Sequence, residues 1–128
     1  MRGLMPKFVG LMTFPRDTSS AEPAGDGIER YFAWQEELRA SGKLVAAAGL
    51  DPESRVVRAG AITDGPYTEA SEIVAGYLVV EAAGLDEAAK LFETHPIAVD
   101  GVGMFVVSEI ALDLDTPREE HLSRFGLS

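Results

Sequence analysis

Glu72-Ile73-Val74-Ala75-Gly76-Tyr77-Leu78-Val79-Val80 is the stretch on which the fold turns. Its β-branched and aromatic residues mark a strand. Both parities are apolar: Ile73, Ala75, Tyr77 and Val79 on one side, Val74, Leu78 and Val80 on the other. A strand of this kind belongs in a sheet covered on both faces.

The flanking segments supply only part of that cover. Upstream, Leu44–Leu50 and Ser54–Thr63 read as extended segments divided by the Asp51-Pro52 turn, with Asp64-Gly65-Pro66 as a second turn before the central strand. Earlier still, Phe8–Phe14 is a short apolar strand closed by Pro15, and 15–27 is a polar loop long enough for a lid. Asp26 with Glu29 three residues on predicts a capping box. The helix it opens carries Ile28, Tyr31, Phe32, Trp34 and Leu38 in one apolar arc, with Gln35 in the middle, and stops at Ser41-Gly42. Gln35 is either a core residue bonded to backbone or a polar group facing a pocket.

Downstream, a second helix is predicted over Asp86–Thr94, buried through Leu85, Ala88, Ala89 and Phe92 and ended at His95 by Pro96. A last strand covers Val102–Ile110, and Thr116-Pro117-Arg118-Glu119 predicts a capped tail helix through Phe125. The order is the split β-α-β-β-α-β plan of ferredoxin-like α+β domains. Two helices cover one face of a four-stranded sheet, so the other face calls for a second copy of the chain, a homodimer. The domain is placed at 1–110, with 111–128 as a tail.

At 128 residues there is room for one domain. Cysteine is absent, which excludes disulfides and thiolate chemistry and fits a cytoplasmic setting. Against 21 acidic residues stand 11 basic ones, a net charge of −10 that makes nucleic acid and anionic membrane poor partners. No run approaches a membrane span, and Pro6-Lys7 interrupts the N-terminal apolar residues before a secretory signal develops.

Nucleotide-binding glycine motifs and H-E-x-x-H are missing, and His95 and His121 are the only histidines, so neither cofactor nor metal is expected. A hard cation at Asp64, Glu69 and Glu72 is the one alternative. Thr63-Asp64-Gly65-Pro66-Tyr67-Thr68-Glu69 stands out: it is either a tight turn or a set of carboxylates and a phenol gathered at a sheet end, with Tyr77 one strand further on. Taken singly, Tyr31 reads as core or pocket, His95 as a helix-end residue or a catalyst, and Trp34 as packing or a pocket wall.

Asp64-Gly65-Pro66-Tyr67 with Glu69, then Gly76-Tyr77 and Leu85-Asp86-Glu87-Ala88-Ala89, resembles the DGPF branch of the YCII-related family. Glu37–Val45 and Gly49-Leu50-Asp51-Pro52 extend the resemblance over roughly residues 6–110. It implies a dimeric α+β barrel and, for enzymatic members, a His–Asp pair on helix one and before a proline after helix two. This chain carries Tyr31 and His95 at those places, and Ser71 where lysine is frequent.

The resulting expectation is a homodimer whose cavity, lined by Tyr31, Gln35, Tyr67, Glu69 and Tyr77, binds a small organic molecule. In its enzymatic form His95 moves a proton and Asp64 orients it, a cofactor-free lyase or isomerase. The alternatives are a non-catalytic binding or accessory module that has lost the dyad, and a cofactor-free monooxygenase with a hydrophobic cavity.

Overall fold

Strand β1 (Lys7–Pro15) occupies the middle of a four-stranded antiparallel sheet, between β5 (Glu72–Glu81) and β6 (Met104–Glu109), with β2 (Leu44–Gly49) outside β5. These positions come from a computed structural model, which describes residues 5–16, 25–67 and 69–127. Most of the predicted 15–27 lid lies outside the described residues, as do Met1–Leu4, Thr68 and Ser128. Helices α1 (Gly27–Ala40), α2 (Leu85–Glu93) and the single-turn α3 (Pro96–Val99) complete the ferredoxin-like plan. After β6 the chain ends in α4 (Arg118–Arg124).

The core forms where alternation along the strands meets the helices. Phe8, Leu78 and Val80 bury themselves against Leu38 of α1 and Ala88 and Phe92 of α2. Gly10 makes this possible, because a Cβ there would lie 2.5 Å from Cζ of Phe92; the ring occupies the room a side chain would need. On the opposite parity, Leu11 pairs with Tyr77 and with Val106, and Val9 with Val79. A bulge between Met12 and Thr13 shifts the pairing with β5, so Val74 joins the same face through Thr13. Val74, Tyr77, Met104 and Val106 are all exposed, so this apolar face has no cover among the described residues.

Several local expectations are corrected. Ser54–Thr63 is not one strand but two, β3 (Arg55–Arg58) and β4 (Ala61–Asp64), folded back on each other in a separate two-stranded sheet. Gly60, at φ +76°, supplies the left-handed residue that the reversal requires. Asp26 makes no capping bond; its carboxylate accepts instead from Arg30 Nε at 3.0 Å, and Arg30 also reaches Asp100 beyond α3. Ile28 and Phe32 are exposed, which narrows the inward stripe of α1 to Tyr31, Trp34, Gln35 and Leu38. On α2, Leu85 and Ala89 are likewise exposed. Thr116 caps nothing in α4 and bonds Asp113 instead, which holds that carboxyl below its usual range.

Candidate functional site

The expected site residues fall in three places. Tyr31 and His95 meet beneath α1; Asp64, Tyr67 and Glu69 gather beside the β3–β4 hairpin; Tyr77 points to the open face of the sheet, since its neighbour Leu78 is in the core. No single cavity joins them among the described residues of the protomer: Tyr31 lines one cleft, and Asp64 and Tyr67 line another.

His95 is fully buried. Pro96 forbids a helical backbone before it, so His95 is extended, at ψ 136°, and stands at the start of α3. There Nδ1 accepts the Ile97 amide at 3.0 Å, so the imidazole caps the following helix and does not bond the last carbonyls of α2. Three rings surround it edge to face, with centroids 4.8 Å away for Tyr31, 4.6 Å for Trp34 and 4.8 Å for Phe105. Burial in these surroundings lowers its pKa to about 4, and the same desolvation raises that of Tyr31. An acceptor at Nδ1 puts the proton of the neutral ring on Nε2, which is buried and has no partner among the described residues. In this setting the ring is a donor at Nε2 and not a ready base at neutral pH. The cleft beside Tyr31, lined also by Gly27, Pro96, Ile97, Asp100 and Val102, holds about 10 Å³, room for one water at most.

Trp34 contributes more than packing: its Nε1 donates to Thr94 Oγ1 at 3.0 Å, tying α1 to the end of α2. Gln35 lies half-buried on the same stripe and makes no hydrogen bond among the described residues, so the backbone-bonded glutamine is not what forms.

The hairpin cluster is open and roomier. A groove of about 370 Å³ is lined by Val56, Arg58, Ala61, Thr63, Asp64 and Tyr67. The Arg58 guanidinium stands 4.8 Å from the Tyr67 ring centroid, and the Tyr67 hydroxyl donates to Glu69 Oε2 at 3.1 Å. Asp64 is almost wholly exposed, its only ion pair being Arg55 Nε at 3.6 Å among the described residues. It therefore neither caps its turn nor approaches His95. The turn is built by the backbone: Gly65 N–H donates to the Ser54 carbonyl at 2.8 Å, and a Cβ on Gly65 would collide with Ser54. Among the described residues no three His, Asp or Glu side chains converge as metal ligands would, so Asp64, Glu69 and Glu72 do not assemble.

Two residues of this site escaped the sequence reading. Arg16 Nη1 donates to the Tyr67 carbonyl at 2.7 Å and, more weakly, to that of Ala70 at 3.4 Å, fixing the loop from across the sheet. Arg58 was passed over because Ser54–Thr63 read as one strand; only the hairpin brings it over Tyr67.

Fold and clusters together define an α+β, ferredoxin-like domain with a hairpin inserted between its second and third sheet strands. The YCII-related domain model matches residues 8–111, and the chain belongs to that family. No curated protein matches it. Among solved structures, a 5-chloro-2-hydroxyhydroquinone dehydrochlorinase from Burkholderia phenoliruptrix AC1100, in complex with 2,5-dihydroxybenzoquinone, is similar at 18% identity and a TM-score of 0.49, covering 80% of this chain and 90% of that one.

Proposed function

We propose that the protein is a cytoplasmic homodimer that binds a small, oxygen-rich organic anion in the hairpin groove. The observation that carries this reading is the groove itself: Arg58, Tyr67 and Thr63 line it together with the apolar Val56 and Ala61, and Asp64 stands at its end. A mostly apolar concavity with a few convergent polar groups is the usual form of a small-molecule site. Arg58 takes the anionic end, and Asp64 and Tyr67 take hydroxyl or carbonyl groups. The exposed apolar sheet face supports the dimer, since a patch of this kind on a soluble domain calls for a partner. On this reading residues 1–110 are the working domain and 111–128 a tail.

His95 and Asp64 were expected to act together; the burial of one and the exposure of the other support reading them in different tasks. Acid–base chemistry of the lyase or isomerase kind falls to Asp64, Tyr67 and Glu69, with His95 holding α1, α3 and β6 in place. The burial of His95 favours the second reading, a non-catalytic binding module that keeps the fold without the dyad. The monooxygenase reading needs an enclosed apolar cavity, and the groove described above is open.

The test is a ligand-detected NMR screen of small hydroxy and aromatic carboxylates against the protein and its R58Q and Y67F variants. Binding that is lost in R58Q, with His95 signals unmoved, is the expected result. Binding that survives R58Q and Y67F but shifts His95 would move the site beneath α1.

A further inference from the structure

We propose that a second groove, between the C-terminal ends of α1 and α2, binds a free α-amino acid with an apolar side chain. It shares no lining residue with the hairpin groove and does not depend on the reading given there. Its volume is about 230 Å³, room for about seven waters at roughly 30 Å³ each, or for one molecule the size of leucine. Trp34, Leu38 and Leu91 give it hydrocarbon, and Glu37, Ser41, Lys43 and Thr94 give it polar groups.

Most of the polar lining is already committed within the chain. Trp34 Nε1 donates to Thr94 Oγ1, which donates in turn to the Leu91 carbonyl at 3.0 Å, and Ser41 Oγ donates to the Leu38 carbonyl at 2.8 Å. The Lys43 amide closes on the same Leu38 carbonyl at 3.2 Å, across the left-handed turn at Gly42, φ +79°. These bonds set the shape of the groove and leave two charged groups over. Arg39 pairs with Glu36 and not with Glu37, and neither the Glu37 carboxylate nor the Lys43 ammonium has an ion-pair or hydrogen-bond partner among the described residues.

Two unspent charges of opposite sign beside one apolar surface select a zwitterion. A simple anion at Lys43 meets the Glu37 carboxylate, and a simple cation at Glu37 meets the Lys43 ammonium; a molecule that carries both charges satisfies both. The helices assign the ends. Ser41 and Thr94 are the C-cap residues of α1 and α2, so two helix C-termini, each with a partial negative charge, meet at the groove that Glu37 also lines. The ligand's ammonium therefore goes to Glu37 and the helix ends, its carboxylate to Lys43, and its side chain to Trp34, Leu38 and Leu91.

Trp34 is the only tryptophan, so its fluorescence reads this groove directly. Titration with leucine should change it saturably, with a Kd of about 1 mM or below, and should move the amide NMR signals of Ser41, Lys43 and Thr94. N-acetylleucine, which lacks the ammonium, leucinamide, which lacks the carboxylate, and glycine, which lacks the side chain, should each bind about tenfold more weakly. In E37Q leucine and N-acetylleucine should bind alike, and in K43Q leucine and leucinamide should. Leucine that leaves both signals unmoved overturns the site. N-acetylleucine or leucinamide binding the wild type as tightly as leucine leaves a single-charge site and overturns the zwitterion, and glycine binding as tightly overturns the apolar contact. Leucine binding that E37Q and K43Q leave unchanged overturns the assignment as well; both positions are exposed, and circular dichroism confirms that the variants fold.

Discussion

The Tyr31 and His95 rings stand edge to face at 84°, their centroids 4.8 Å apart, although one lies on the first helix and the other past the end of the second. These are the two positions at which related enzymes were expected to carry a catalytic pair. Here the same juxtaposition serves packing, because the two rings share no hydrogen bond and the imidazole is fully buried.

Stability should therefore depend on acid in a definite direction. His95 takes a proton near 6.5 in the unfolded chain and only at about 4 in the folded one. As the pH falls the unfolded chain is protonated first, so the stability is complete above that upper value and drains away toward the lower one. The span corresponds to roughly 3 kcal/mol. H95N keeps an acceptor for the Ile97 amide and does not titrate in this range. Urea unfolding at about pH 7 and about pH 4.5 should show a clearly larger acid loss in the wild type than in H95N; equal losses would remove His95 as the cause.

Tyr31 separates ring from hydroxyl. Its hydroxyl has no partner among the described residues, so Y31F should stay within about 0.5 kcal/mol of the wild type. Y31A removes an aromatic edge and should cost about 1 kcal/mol or more. It should also admit water to His95 and raise its pKa from about 4, which a proton NMR titration of the imidazole would record. An unmoved titration would mean that Trp34 and Phe105 alone keep the ring dry.

Gly10 should resist enlargement. A methyl there would sit 2.5 Å from Cζ and 2.6 Å from Cε1 of Phe92, a buried ring that cannot swing away. G10A should cost about 1–3 kcal/mol by thermal or urea unfolding. Adding F92L should cost less in the G10A background than in the wild type, because the two changes share one space. Strict additivity would show that the sheet itself moves to make room.

Adjacent residues of the turn should behave differently. D64A touches an exposed carboxylate and should change stability by no more than about 0.5 kcal/mol. G65A puts a Cβ 2.1 Å from Ser54 Oγ and 3.1 Å from its carbonyl carbon, and should cost distinctly more, about 1–3 kcal/mol. A pair of melting curves decides it; a D64A protein as damaged as G65A would return Asp64 to a structural role.

The strand and helix order was legible in the sequence because β1, β5 and β6 are short apolar runs rich in β-branched and aromatic residues, and the helices carry an apolar stripe and their stops. The two apolar parities of Glu72–Val80 announced a sheet with an uncovered side, and Val74, Tyr77 and Val106 lie on it. What could not be read was anything set by pairing between distant segments. The reversal at Gly60 is hidden in a run that suits a single strand, the bulge at Met12/Thr13 leaves no residue signature, and the capping boxes at Asp26 and Thr116 lost to side-chain partners nearby. The site suffered most. Asp64, Tyr67 and Glu69 were legible as a cluster, yet their distance from Tyr31 and His95 follows from where the hairpin is rooted, which no local pattern encodes.

Among the described residues, the Arg16 guanidinium holds the 67–70 loop by the carbonyl oxygens of Tyr67 and Ala70 alone. Every amino acid supplies a carbonyl, so the anchor is blind to which side chains the loop carries. Shape and side-chain chemistry are thus separable here: the residues at 67, 69 and 70 can be exchanged while the guanidinium anchor keeps its acceptors, so variants of this stretch test the proposed site without dismantling the loop.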